Sequence, residues 1–180
     1  MLLLYIFILV MIFSAVPYVK ITAGKAKRGG ELCRRLKAEG CRFIPLTPLW
    51  YIGSPSGKHA DFVVIYGGRA IAVKVIGFAT ANTLFEFIDS THYAIATVKG
   101  KSAELDKVRF AEKKKKPYDF TSKLPKEAAG LPLAKVILLN SPHPISIKLK
   151  DKNSSLDINP GDKLPEGEFY TETSFIGLFK

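Results

Sequence analysis

Cysteine and histidine are scarce in this chain. Its 180 residues include 2 cysteines, Cys33 and Cys41, and 3 histidines, His59, His92 and His143. The cysteines have no CxxC spacing and no histidine at zinc-finger distance, which argues against a structural zinc site. They read as two small buried thiols in a reducing compartment. The histidines show no ligand spacing. Several motifs are absent as well: the glycine loop that cradles nucleotide phosphates, the serine nucleophile elbow and the paired histidines of zinc proteases. Acid is in short supply, with 16 Asp and Glu against 27 Lys and Arg and a formal charge of +11. Such an excess favours anionic partners.

Charge is missing altogether from residues 1–19, which run from Met1 to Val19. An apolar stretch of about 20 residues in a helix crosses the roughly 30 Å hydrocarbon layer of a bilayer. No basic residue precedes the run, as a cleaved signal peptide would require, whereas Lys20, Lys25, Lys27 and Arg28 follow it. Positive charge next to a span stays inside. The expectation is a single-pass cell-membrane protein with residues 1–19 as a transmembrane anchor, 20–29 as a basic juxtamembrane linker and 30–180 as one cytoplasmic domain. The anionic partners then expected are nucleic acid and the inner leaflet of the membrane.

The rest alternates helix and strand signals. Gly30 to Glu39 reads as a helix, with Leu32 and Leu36 on one face and Gly40 as its stop. Arg42–Leu46 and Leu49–Ile52 read as irregular or edge strand, interrupted by Pro45 and Pro48. The clearest unit is a hairpin, with strands over 60–66 and 69–76 joined by Gly67-Gly68. Thr83–Ile88 and Tyr93–Val98 read as strands that extend its antiparallel sheet. Residues 100–130 read as an exposed loop containing Lys113, Lys114, Lys115 and Lys116. Leu133–Asn140 reads as a buried strand returning to the sheet centre, and Ile145–Leu149 as a further strand. A polar loop over 151–167 and a short closing helix within 169–179 complete the pattern. The order points to α+β.

The hairpin carries chemistry. Metal-assisted phosphodiester hydrolysis needs carboxylates to hold Mg²⁺ and a cation to stabilise charge on phosphorus. One carboxylate at the start of the first strand, facing a carboxylate and a lysine two residues apart on the second, supplies them, because that spacing places both on one face. Asp61 and Lys74 stand at the first and last of these positions, but Ala72 stands at the second, and alanine holds no metal. Gly30-Glu31, the loop from Gly57 to Asp61, Ala72-Val73-Lys74 and Gly77 resemble the nuclease-related domain (NERD) family of the PD-(D/E)XK nucleases, over roughly residues 29–77. Phe62 departs from the histidine often found after the aspartate.

The resemblance implies a restriction-endonuclease-like fold, a mixed β-sheet flanked by helices. It also implies Asp61 as metal ligand, Lys74 as catalytic cation, Glu31 as helix-borne acid and Mg²⁺ as cofactor of an active form. With Ala72 in the ligand position, the leading expectation is a degenerate nuclease domain that binds nucleic acid or a protein partner. Lys58, Arg69 and Lys113 through Lys116 are its expected contacts to nucleic acid or lipid. An active Mg²⁺ nuclease completed by a displaced carboxylate, Glu86 before Asp89, is the second expectation. A membrane-surface interaction module docking through Trp50, Tyr51, Phe85 and Phe87 is the third.

Overall fold

The computed structural model describes residues 23–77, 83–97, 111–140, 147–151 and 154–180. Helix α1 covers residues 23–38. It buries Leu32 and Leu36, which the i,i+4 spacing stacks on one side. Gly29 lies where a Cβ would come within 2.5 Å of Tyr51 Cβ, so the glycine lets the helix close on the following turn.

Strand β1 (Arg42–Pro45) pairs antiparallel with β2 (Phe62–Tyr66), and β2 with β3 (Arg69–Gly77). Between β2 and β3, Gly67 and Gly68 take φ of 55° and 73°. Both are left-handed, as a two-residue hairpin turn requires. The 49–52 segment expected as strand is a turn, with Ile52 N–H donating to Leu49 O at 3.0 Å.

Beyond β3 the chain leaves this sheet. Strands β4 (Thr83–Phe87), β5 (His92–Thr97) and β6 (Ala111–Lys114) form an antiparallel meander in a second sheet. Strand β7 (Leu133–Asn140) then returns to the first sheet and pairs parallel with β3. β8 (Ile147–Asp151) and β9 (Ser154–Asp157) join the second sheet, with β8 parallel to β4. β10 (Lys163–Leu164) and β11 (Gly167–Thr171) close the first sheet, with β11 parallel to β7. The resulting orders are β1-β2-β3-β7-β11-β10 and β6-β5-β4-β8-β9. Helix α2 (Glu172–Gly177) follows at once, its Ser174 N–H donating to Thr171 Oγ1 at 3.3 Å in a capping box.

Side-chain alternation divides the core in two. Ile71, Val73 and Val75 face one side of the first sheet, packed with Leu32, Leu36, Phe175, Ile176 and Phe179 of the helical layer. Ala70, Ala72 and Ile76 face the other side, in one cluster with Phe85, Phe87 and Tyr93 of the second sheet. The molecule is therefore layered as helices, sheet and sheet.

Expectations about the sheet and about the membrane are corrected. The α+β class contains two packed sheets rather than one mixed sheet flanked by helices on a restriction-endonuclease-like plan. β4 and β5 do not extend the hairpin sheet, because β7 occupies the edge of β3 that they would have needed. The expected N-terminal transmembrane helix and single-pass membrane localisation are not upheld either. Among the described residues no helix is long and apolar enough to cross a membrane, and α1 exposes Lys27, Arg34 and Lys37. The 1–19 segment, on which that expectation fell, lies outside the described residues.

An ion pair ties the two sheets together. The buried Lys115, just past β6, donates to Glu166 Oε2 in the β10–β11 turn and to Ser90 O at 2.7 Å, and its Nζ lies 3.8 Å from the Tyr118 ring centroid. Glu166 Oε1 accepts from Tyr118 N–H at 2.6 Å. Removing one partner strands the other charge in the interior. Glu166→Leu should therefore lower unfolding free energy in urea by about 3–5 kcal/mol, while the double variant Lys115→Met, Glu166→Leu should recover most of that loss.

Candidate functional site

Asp61 and Lys74 meet, as their placement on one hairpin predicts. Asp61 directly precedes β2, and its N–H donates to Val73 O at 2.8 Å. The Lys74 side chain comes off the face of β3 that looks at the second sheet, and Lys74 is 2% exposed. Lys74 Nζ donates to Asp61 Oδ2 at 2.8 Å, and Val75 N–H donates to the same oxygen at 2.8 Å. Burial pushes the Asp61 carboxyl above its usual range, outweighing the pull of the Lys74 ammonium and these hydrogen bonds.

A roof lies over the pair. The segment after β6 straps the 55–60 loop down: Tyr118 Oη donates to Pro55 O at 2.8 Å, Asp119 N–H to Lys58 O at 2.8 Å and Ala60 N–H to Asp119 O at 3.2 Å. At Gly57 a Cβ would stand 2.8 Å from Lys74 Nζ, so the backbone itself rests on the ammonium. Burial, reinforced by the Glu166 charge, holds the Tyr118 phenol far above its ordinary range. Tyr118 is thus a donor and packing group, with no basicity for proton abstraction.

A metal does not fit this constellation. Ala72 is 0% exposed, within the cluster that joins the sheets. Asp61 already spends Oδ2 on an ammonium and an amide. Among the described residues no group of three or more His, Cys, Asp or Glu could hold a metal ion. Glu86, the expected displaced ligand, is buried on β4 between Phe85 and Phe87. Those two rings face the first sheet, so alternation turns Glu86 to the opposite face of its strand. Asp89 caps its own turn, accepting from Thr91 and His92 N–H. Glu31 is on the helical side of the first sheet, half-exposed, with its Oε1 3.9 Å from Arg35 Nη2.

Comparison with protein-family models, curated proteins and solved structures finds no match.

The other expected contacts divide by burial. Lys58 and Arg69 are exposed, the former with its Nζ 3.9 Å from Asp119 Oδ2. Lys113, Lys114 and Lys116 are exposed while Lys115 is buried, which corrects the view of the run as one solvated or ligand-binding patch. The run crosses from edge strand to interior anchor, and only Lys115 finds a carboxylate inside. Phe85 and Phe87 are core residues, not a docking face. Of the two thiols, Cys41 is buried and Cys33 half-buried.

One surface cluster was not anticipated. Ser122 Oγ lies 3.0 Å from His59 Nδ1, and Asp119 Oδ2 lies 3.8 Å from the same nitrogen. A relay needs serine and aspartate on opposite ring nitrogens, so this grouping is a turn contact and not a nucleophilic triad.

Two outcomes check the site. Saturating Mg²⁺ or Mn²⁺ should produce no rise in Tm, since a ligand that binds only the folded state must raise it; a rise abolished by Asp61→Asn would contradict the assignment. Ala72→Glu should cost at least about 3 kcal/mol in chemical denaturation, because it forces a carboxylate into a filled apolar layer.

Proposed function

We propose that this chain is a non-catalytic binding domain for nucleic acid, a nuclease-related arrangement whose Asp61–Lys74 pair serves to hold the structure. The resemblance to the nuclease-related family supports the origin of that pair. The single carboxylate and the alanine at position 72 weigh against the active alternative. A phosphodiester in the site would have to displace the 55–60 loop and separate Lys74 from Asp61, leaving two buried charges unpaired.

The observation that carries the reading is the way the lysine run divides. All four residues of β6 are exposed, and Lys113 and Lys114 are borne on this edge strand with exposed Lys116 just beyond. Lys115 between them is anchored to Glu166, which holds the segment in place. Edge lysines also deter sheet-to-sheet association, a structural use that needs no ligand. The chain-wide charge of +11 favours a polyanion as the additional role. Further exposed cations lie on α1, where Lys27, Arg34 and Lys37 share one face.

The test is fluorescence anisotropy of labelled single- and double-stranded DNA and RNA against the full chain. Affinity should fall steeply between about 50 and about 200 mM salt, as counterion release dictates. The charge reversals Lys113→Glu, Lys114→Glu and Lys116→Glu together should weaken binding to all sequences and reduce the log–log salt slope by about 2–3. DNA should remain uncut with Mg²⁺ or Mn²⁺ present. Absence of binding at low salt would overturn the proposal, and metal-dependent cleavage lost on Lys74→Met would replace it with the active alternative.

A further inference from the structure

Strand β6 ends the second sheet, whose order is β6-β5-β4-β8-β9, and every residue from Ala111 to Lys114 is exposed. The ladder to β5 decides which of its amides face outward. Lys115 N–H donates to Thr91 O at 2.7 Å, and the register continues with Lys114 opposite His92 and Lys113 opposite Tyr93. Residues of an antiparallel pair alternate between bonded and non-bonded positions. Lys113 and Ala111 therefore turn their N–H and C=O groups to β5, while Glu112 and Lys114 turn theirs away from the sheet. Among the described residues no backbone group pairs with that outward row.

Two other edge strands are closed to such pairing. In β1, Leu46 N–H donates to Asp61 O at 2.9 Å, so by the same alternation Pro45 stands where an outward amide would be. Proline has no N–H to offer there. β10 has only 2 residues, and Pro165 follows it. Both are ways of blunting an edge. β6, Ala111-Glu112-Lys113-Lys114, has neither device, and its guard is charge alone. Exposed Lys113, Lys114 and Lys116 outweigh Glu112, so a second copy of this chain, itself of charge +11, would meet a like-charged edge. An acidic strand meets the opposite situation.

We propose that β6 takes an acidic, extended segment of a partner protein as an added strand. Glu112 and Lys114 supply the main-chain donors and acceptors, and carboxylates of the segment meet the lysines across the new ladder. Alternation puts Lys113 on the face of Tyr93 and Lys114 on the other, so the segment carries acid on both faces. The residue it sets opposite Glu112 is uncharged or basic. Lys115, tied to Glu166 and to Ser90 O, already holds the template, which lowers the ordering cost of binding. This inference goes beyond the nucleic-acid reading: a polyanion needs the lysine side chains, whereas strand addition also needs the outward amides. The two ligands compete for one edge.

The test is fluorescence anisotropy of a short labelled peptide of valine, threonine and glutamate against the full chain, beside the same peptide N-methylated at alternate residues. The two peptides have the same charge and differ in main-chain donors. The unmethylated one should bind at least about tenfold more tightly. Glu112→Pro removes an outward amide and leaves the ladder to β5 and all the lysines in place. It should weaken peptide binding at least about tenfold, while binding of DNA and RNA by the same variant should not fall. Equal affinity for the two peptides, no binding of either, or peptide affinity unchanged by Glu112→Pro would overturn the inference, and nucleic-acid binding measured on the same samples judges the other reading separately. Self-association of the native chain in sedimentation, abolished by Glu112→Pro, would also overturn it, since the edge would then belong to a second copy.

Discussion

Lys74 is a cation in the middle of a packed interior, and one carboxylate makes that tolerable. Without Asp61 the ammonium would be stranded between two sheets, where the cost of an unpaired charge reaches several kcal/mol. The pair therefore constrains everything that touches it. It fixes the approach of the chain into β2, because Asp61 must reach both Lys74 Nζ and Val75 N–H. It requires a residue without a side chain at Gly57, where the roof loop meets the ammonium. It also lets the second sheet close over β3, since a neutralised pair behind a backbone roof leaves little to solvate.

That closure changes what the hairpin can do. Ala70, Ala72 and Ile76 lie against the layer that holds Phe85, Phe87 and Tyr93. Small side chains at 70 and 72 allow close approach of the large rings opposite, which is how interiors reach close packing. A carboxylate at position 72 would serve a metal only if that layer were open. The alanine at position 72 and the sheet packed over it are thus one structural fact seen from two sides.

The sequence made the local units legible and concealed their partners. The Gly67-Gly68 turn, the alternating hairpin strands and the continuous apolar run of β7 each follow from turn chemistry or from burial on both faces. Placement of β7 at the sheet centre was readable for the same reason. The second sheet was not, because β4 and β5 are ordinary antiparallel strands and nothing local says which edge they join. β11 escaped notice, since Phe169, Tyr170 and Thr171 have the apolar character of a closing helix and only pairing with β7 makes them strand. The Asp61–Lys74 contact could be inferred from spacing within one hairpin. Lys115–Glu166 could not, because 51 positions separate the partners and four consecutive lysines look alike until one of them is buried.

The two faces of β3 show why charge composition alone misleads. On one face Lys74 donates to Asp61, whose carboxylate also accepts from Val75 N–H, and the Gly57 backbone closes over the pair and leaves no open space beside it. On the other, Lys25 keeps donors beyond its single bond to Ile52 O, and Arg28 Nε, Asn140 Oδ1 and Glu172 Oε1 have no protein partner. Both groups place charge in the interior, yet only the second leaves buried side-chain atoms without a protein partner among the described residues. An unpaired buried atom costs stability unless water or a bound group meets it, so the carboxyl ends of β3, β7 and β11 carry a requirement that the Asp61–Lys74 hairpin does not.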